Sequence, residues 1–422
     1  MPNPVFSNSE ISIFETMSRL AVQHGSINLG QGFPEGLEPA PLIEAAIQAL
    51  RDGPHQYPPL MGLPALRQAV ADNARRFFGL QIDWEKEVLV TSGATEALAA
   101  SLLALLDTGD EVIILEPAYD SYAPIIRRAG AIPVPVRLMP PSWDLPREQL
   151  LSAITGKTRA ILLNNPTNPT GKVFSADELA FLAALIQEND LLAISDEVYD
   201  HLVFDSQRHV SLFSIAGIRD RVVRIGSAGK SFSLTGWKVG YVTADAKLLR
   251  PITNAHQYIN FSTPPALQAA VAVGLQLPNT YFDDLRQSLQ GRRDFLSAGL
   301  RAAGFDAFTP SGTYFVTADL GADDVAQDDF AFCNRLTVEA GVTAIPVSAF
   351  YSAHPVTTLA RFCFAKQSAT LQEAVTRLLK WRGQSASDIE EVVGSFRDQL
   401  ASSSLPPPQA EADVTELLAR TY

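Results

Sequence analysis

The sequence predicts an α/β protein: a mainly parallel central sheet flanked by helices, joined to a smaller α+β domain. Three observations predict it. The chain has 422 residues, too many for one ordinary core. From about residue 85 to 245, short β-rich runs alternate with helical stretches, the pattern of parallel strand–helix–strand units. After residue 285 the order changes to one long amphipathic helix followed by strands and a further helix.

The strand candidates of the first region are Glu87–Thr91, Glu111–Leu115, Ile132–Pro135, Ala160–Leu163, Leu191–Ser195, Val222–Ile225 and Gly240–Ala244. Helical patterns lie between several of them, at Thr95–Leu106, Tyr122–Ala129 and Ala176–Glu188. The last begins with Ser175 as N-cap and Glu178 three residues on, a capping box. In the second region Leu285–Leu300 reads as the long helix, Tyr314–Ala318 and Leu359–Phe364 as strands, and Leu371–Trp381 as a helix. The N-terminal forty residues are poor in regular pattern and are expected to wrap onto the smaller domain. The expected division is 46–284 for the large domain, 1–45 with 285–384 for the small one, and 385–422 for a C-terminal extension. In that extension "ASSSLPPPQAEAD" (Ala401–Asp413) has linker composition, and Asp413 caps a possible short helix at Val414–Arg420.

Composition narrows the function. A chain with 46% hydrophobic and 19% charged residues is globular. A net charge of −13 argues against nucleic acid or an anionic membrane as the main partner. The two cysteines, Cys333 and Cys363, make no disulfide framework and fit a reducing, cytoplasmic compartment. The N-terminus has no basic region followed by an apolar stretch, and "LAASLLALL" (Leu98–Leu106) is too short to span a membrane. The six histidines form no HExxH and no cluster of metal-ligand spacing, so no metal is expected.

Ligands of open parallel sheets bind beyond the carboxyl ends of the strands. After Glu87–Thr91 comes "SGATEAL", a small-residue turn opening a helix whose free N–H groups suit an anion. After Glu111–Leu115 comes "EPAYDSY", with Tyr119 and Tyr122. After Ala160–Leu163 comes "NNPTNPTGK", with Asn164 and Asn168. "DEVYD" brings Asp196 and Tyr199, and "GSAGK" brings Ser227 and Lys230. Each alone has an ordinary reading: a tight βα turn, Asn–Pro turn formers, a helix cap, a packed tyrosine, an exposed lysine. Together, five strand ends deliver an anion cradle, an aromatic face, amides, a carboxylate and a lysine to one crevice. Pyridoxal 5′-phosphate (PLP) needs all of these: a lysine for its aldehyde, a carboxylate for its pyridine nitrogen, N–H donors and a cation for its phosphate, and a flat partner for its ring.

On these residues the chain resembles the class I/II aminotransferases of PLP fold type I, nearest to the kynurenine/glutamine (and methionine) branch. "INLGQGFPE", "HQYPPLMGLPALR", "VTSGATEAL", "EPAYDSY", "NNPTNPTGKVF", "SDEVYDHLVF", "IGSAGKSFSLTGWKVGY" and "ARFCFAK" match that branch in order, over roughly residues 10 to 382. The resemblance implies a transaminase that moves an amino group from an L-amino acid to a 2-oxo acid by a ping-pong mechanism. It implies that Lys230 bonds the cofactor aldehyde and shuttles the substrate proton, and that Asp196 pairs with the pyridinium nitrogen. Tyr199 and Asn168 would hold the phenolic oxygen, and Tyr119 would stack on the ring. The phosphate would rest on the backbone of Ala94 and Thr95, on Ser227 and on Lys238, where many relatives have arginine. Arg361 would clamp the substrate carboxylate, with Asn168, Asn164 and Gly32 beside it. Tyr57 would reach the phosphate of a neighbouring subunit, implying a homodimer.

The segment Gly32–Pro41 reads "GFPEGLEPAP" where the branch often reads "GFPDFPPP", which leaves the side-chain preference open. Tyr57, Tyr119, Tyr122 and Phe33 point to an apolar or aromatic-tolerant pocket. Two rival functions use the same motifs. A cysteine-conjugate β-lyase differs only in what leaves. A ligand sensor built on the same domain usually needs a DNA-binding module, and here there is no helix-turn-helix extension.

Overall fold

The computed structural model describes residues 4–7, 11–321 and 328–395; the expected linker Ala401–Asp413 and the helix at Val414–Arg420 lie outside them. The N-terminal region is more regular than its sequence pattern implies. It holds a 12-residue amphipathic helix, Ile13–His24, with Met17 and Ala21 buried, ended by Gly25 at φ 61. A short strand β1 (Ile27–Asn28) follows.

The main sheet is built from β2 (Val88–Thr91), β3 (Glu111–Glu116), β4 (Ile132–Arg137), β5 (Thr158–Asn164), β6 (Leu192–Asp196), β7 (Val222–Ser227) and β8 (Gly240–Ala244), in the order β2-β8-β7-β6-β5-β3-β4. Only β8 runs antiparallel, to β2 and to β7. Every residue of β2, β6, β7 and β8 is buried, because helices cover both faces of the sheet. Double burial is why these strands read as continuous apolar runs rather than alternating ones. β4 sits at the edge, where its Pro133 and Pro135 interrupt no inner ladder.

Three strands run further than their apolar runs suggest. Pairing of Asn164 with Asp196, of Asp196 with Ile225, and of Ser227 with Gly240 extends the ladder to polar residues. Asn164, Asp196 and Ser227 are therefore the last residues of strands rather than the first of loops, and the sheet itself fixes them.

The capping box at Ser175 and Glu178 is present, and its helix is Ala176–Glu188. Four further helices of eleven residues or more escape the periodicity reading: Ala40–Asp52, Pro64–Phe78, Ala246–Ile259 and Pro265–Leu275. The last is buried almost throughout, so it has no polar face to betray it.

The long helix spans Asn279–Ala302. Beyond it lie β9 (Asp306–Phe308), β10 (Phe315–Asp319), β11 (Val342–Thr343), β12 (Ile345–Pro346) and β13 (Leu359–Cys363). An antiparallel sheet runs β12-β13-β10-β9, while β1 pairs parallel with β11 and so ties the N-terminal region to this unit. The helix Ser368–Trp381 is followed by Ala386–Ser395, whose Ile389 and Val393 join the same apolar core.

Candidate active site

A cavity of about 440 Å³ opens at the carboxyl ends of β5, β6 and β7 and is closed on its far side by β10 and β13. It gathers Gly32, Ala94, Thr95, Tyr119, Asn164, Asn168, Asp196, Tyr199, Ser227, Lys230, Lys238 and Arg361.

At one end, the helix Ala94–Leu105 starts at Gly93, which supplies no side-chain cap. The first N–H groups are thus left for a ligand, and the helix dipole favours an anion there. Gly93 sits at φ 79, and a Cβ on it would come 3.2 Å from Lys238 Nζ. Its lack of a side chain lets the lysine reach the helix N-terminus. Ser227 borders the same cavity.

Asp196 is 4% exposed and accepts a 2.6 Å hydrogen bond from Tyr122 Oη. Burial raises its pKa to about 6, against the Tyr122 hydrogen bond and the charge of Lys230. The carboxylate is ionised at neutral pH but strained by desolvation, where a nearby cation would relieve it. Behind it, Glu197 takes hydrogen bonds from Ser195, Ser211, His209 and Arg224, and Arg224 also pairs with Asp200. Burial opposes ionisation of Glu197, but His209 and Arg224 outweigh it and hold it well below the usual carboxylate range. This network anchors the strand end that carries Asp196.

Lys230 lies on a single helical turn, Ala228–Ser231. Its Nζ donates to Tyr314 Oη at 2.9 Å and stands 5.6 Å from the Tyr199 ring centroid. Burial, helped by the charge of Arg361, lowers its pKa to about 8. Tyr199 meets Tyr314 edge-on at 5.3 Å, and burial pushes its phenol up.

Arg361, on β13, is 1% exposed. It donates to Asn168 Oδ1 at 2.7 Å and to the Gly30 carbonyl at 2.6 Å, over the Phe315 ring at 3.8 Å. Its Nε has no partner, and among the described residues no carboxylate forms an ion pair with it, Asp120 acting only at longer range. Burial lowers its pKa to about 10. A buried cation with no carboxylate paired to it, facing a cavity, is built for an incoming anion. Asn164 braces the neighbourhood, donating to the Asp196 carbonyl and accepting from the Asn168 N–H.

Tyr57 is the one predicted residue outside the cavity: it is 83% exposed, its ring edge-on to Phe261 at 5.5 Å. Sequence reasoning missed Tyr314, Phe14 and Phe315, which lie in segments read only as strand or as patternless. It named Tyr122 without finding its bond to Asp196. Cys333 and Cys363 are both free and buried. Among the described residues no cluster has metal-ligand composition, and no helix is long and apolar enough to cross a membrane.

The uncapped helix, the Gly93 cradle, the desolvated carboxylate and the lysine together fit PLP, and fold and site define a PLP-dependent aminotransferase. The chain belongs to the aminotransferase class I and II family, whose model matches residues 25–378. It is 44% identical to a probable N-succinyldiaminopimelate aminotransferase of Mycobacterium tuberculosis, over 87% of this chain and 95% of that protein. It is 39% identical to kynurenine–oxoglutarate transaminase 1 of Mus musculus, over 87% and 94%. The structure of YbdL from Escherichia coli, reported with a methionine aminotransferase function, superposes with a TM-score of 0.87 at 38% identity, covering 90% of this chain and 99% of that one.

Proposed function

We propose that the amino donor is an L-amino acid with a neutral side chain, apolar, aromatic or methionine/glutamine-like. One observation carries this reading. The cavity of one chain offers three cations, Lys230, Lys238 and Arg361, and the cofactor aldehyde, the cofactor phosphate and the substrate α-carboxylate use all three. Among the described residues no fourth cation lines it to meet an acidic side chain. Its apolar and aromatic walls include Phe14, Phe33, Leu98, Tyr119 and Phe315, with Gln31 among its uncharged polar ones.

The roles follow from chemistry. When bound, PLP supplies an aldehyde for amine exchange and a ring that takes up the electron pair left at the substrate Cα. Asp196 keeps the pyridine nitrogen protonated, and Tyr199 and Asn168 hold the phenolic oxygen. Ala94, Thr95, Ser227 and Lys238 hold the phosphate. Lys230 Nζ takes the Cα proton, a task suited to an amine whose pKa of about 8 lies near neutrality. A single carboxylate clamp, Arg361, serves amino acid and 2-oxo acid in turn, so one must leave before the other enters: a ping-pong sequence. Tyr57 and the Phe261 ring it meets, both exposed, support a homodimer in which Tyr57 completes the partner's site. Two free thiols support a reducing, cytoplasmic setting. The large domain is taken as 46–284 and the small one as 1–45 with 285–384.

A donor panel tests the reading. With a common 2-oxo acid, methionine, phenylalanine, kynurenine or glutamine should exceed aspartate and N-succinyldiaminopimelate in kcat/KM by roughly 100-fold, since an unpaired buried carboxylate is heavily penalised. A succinylated or acidic donor that outperforms all four would refute it. Arg361→Lys keeps the charge but loses the planar fork. It should lower kcat/KM about 100-fold for donor and acceptor alike, chiefly through KM. Unchanged KM values would remove the clamp from Arg361.

A further inference from the structure

Tyr314 is 1% exposed, and its phenol sits at the centre of a two-bond relay. Lys230 Nζ donates to Tyr314 Oη at 2.9 Å, and Tyr314 Oη donates to the Gly32 carbonyl at 3.2 Å. The direction of the relay matters. The phenolic proton has two acceptors in reach, the Gly32 carbonyl and the Tyr199 oxygen, and given to either it leaves the Tyr314 oxygen to accept from the lysine. A neutral amine that donates one N–H in this way keeps its lone pair free.

The far end of the relay is itself fixed. The backbone from Gly30 to Glu35 is gripped at four carbonyls: Gly30 by Arg361, Gly32 by Tyr314, Phe33 by Lys366 and Glu35 by Arg292. Lys366 also pairs with the Glu35 carboxylate at 2.9 Å. A Cβ on Gly32 would come 2.9 Å from Phe315 and 3.0 Å from the Tyr314 ring, so only glycine allows this approach. The segment that borders the cavity is thus a rigid abutment against which the phenol is set.

We propose that Tyr314 is a positioning residue for the transamination: it holds the amine of Lys230, when that amine is not bonded to the cofactor, with its lone pair free to take the substrate proton. This rests on the reading of Lys230 as the proton carrier. Tyr314 touches neither cofactor nor substrate in this role and acts through Lys230. The charges and titratable groups around the amine are Asp196, Arg361, Lys238 and Cys363, with the phenols of Tyr199 and Tyr314. Of these, Tyr314 alone has a hydrogen bond from Nζ among the described residues.

The test is Tyr314→Phe in the full-length enzyme, with two readouts. In steady state, kcat should fall roughly 10- to 100-fold while KM for donor and acceptor stays within about threefold. In the pyridoxamine phosphate form, where Lys230 is free, the rate at which an acylating reagent labels Lys230 is followed against pH by peptide mass spectrometry. The phenolic oxygen favours the protonated amine, so its loss should move the labelling midpoint down by about one pH unit. Tyr314→Leu separates packing from the hydroxyl. A packing role leaves the Phe variant like wild type and harms only the Leu variant; a positioning role already harms the Phe variant. If the Phe variant does not fold, Tyr314→Gln, which retains an acceptor for the amine, should keep the wild-type midpoint that Tyr314→Leu loses; a wild-type midpoint in Tyr314→Leu, or equal midpoints in the two, overturns the proposal. So does a folded Tyr314→Phe with wild-type kcat and midpoint. Wild-type turnover by Lys230→Ala would instead remove the reading of Lys230 on which the proposal depends.

Discussion

Lys230→Ala should abolish transamination, lowering turnover by roughly 10⁴-fold or more, while the protein still folds and takes up PLP. The loss is large because one amine serves twice, as the partner of the aldehyde and as the base at Cα, and no other group in the cavity stands in for it. The flanking cations cannot: Arg361 is committed to Asn168 and Gly30, and Lys238 stands at the helix N-terminus beside Gly93. The fold should not suffer. Burial lowers the Lys230 pKa from 10.5 to about 8, so the folded chain resists charging an amine that the unfolded chain charges freely. The penalty is fully present below pH 8 and fades as pH rises from 8 towards 10.5. At pH 7 the cofactor-free alanine variant should therefore melt no lower than wild type. Turnover is read from the donor-dependent absorbance change and stability from a thermal melt. An active variant would dismiss Lys230 as the central residue.

Much of this site was visible in the sequence because chemistry and topology coincide there. Strand ends in a parallel sheet converge, so the residues just beyond each apolar run already include Thr95, Tyr119, Asn164, Asp196 and Lys230. The small unit was harder. Tyr314 and Phe315 stand where one strand begins, and nothing in "SGTYFV" separates a relay phenol from a packed one. Arg361 was legible only because a bare charge in an apolar strand needs a reason. Helices hid for a related cause. Pro265–Leu275 is apolar on all sides, and the pattern that marks a surface helix is absent from a buried one. The extra strand residues Asn164, Asp196 and Ser227 are polar, and apolar runs stop before them although the hydrogen-bond ladder does not.

Asp196→Asn should lower kcat roughly 10³-fold and, in the cofactor-free protein at pH 7.5, raise thermal stability. Both effects have one cause. Burial raises the Asp196 pKa from 3.8 to about 6, so the folded chain binds a proton where the unfolded chain has lost it. Ionising the buried carboxylate is a penalty that is absent below pH 3.8, grows between 3.8 and 6, and is complete above 6. At pH 7.5 it amounts to about 3 kcal/mol. Asparagine keeps the shape, and its Oδ1 still accepts from Tyr122, so that only the long 3.4 Å bond from the Val198 N–H is given up and there is no charge to desolvate. The variant should melt a few degrees above wild type at pH 7.5, and the gap should shrink as pH falls through 6. The same neutral amide lacks the negative charge that keeps a pyridine nitrogen protonated, so turnover collapses while the fold gains. A destabilised carboxylate retained at the end of a buried strand makes sense when a cationic ligand neutralises it; PLP added to wild type should therefore stabilise it far more than it stabilises the asparagine variant. Equal melting temperatures at pH 7.5 and 5, together with retained kcat, would show that Asp196 carries neither the strain nor the role.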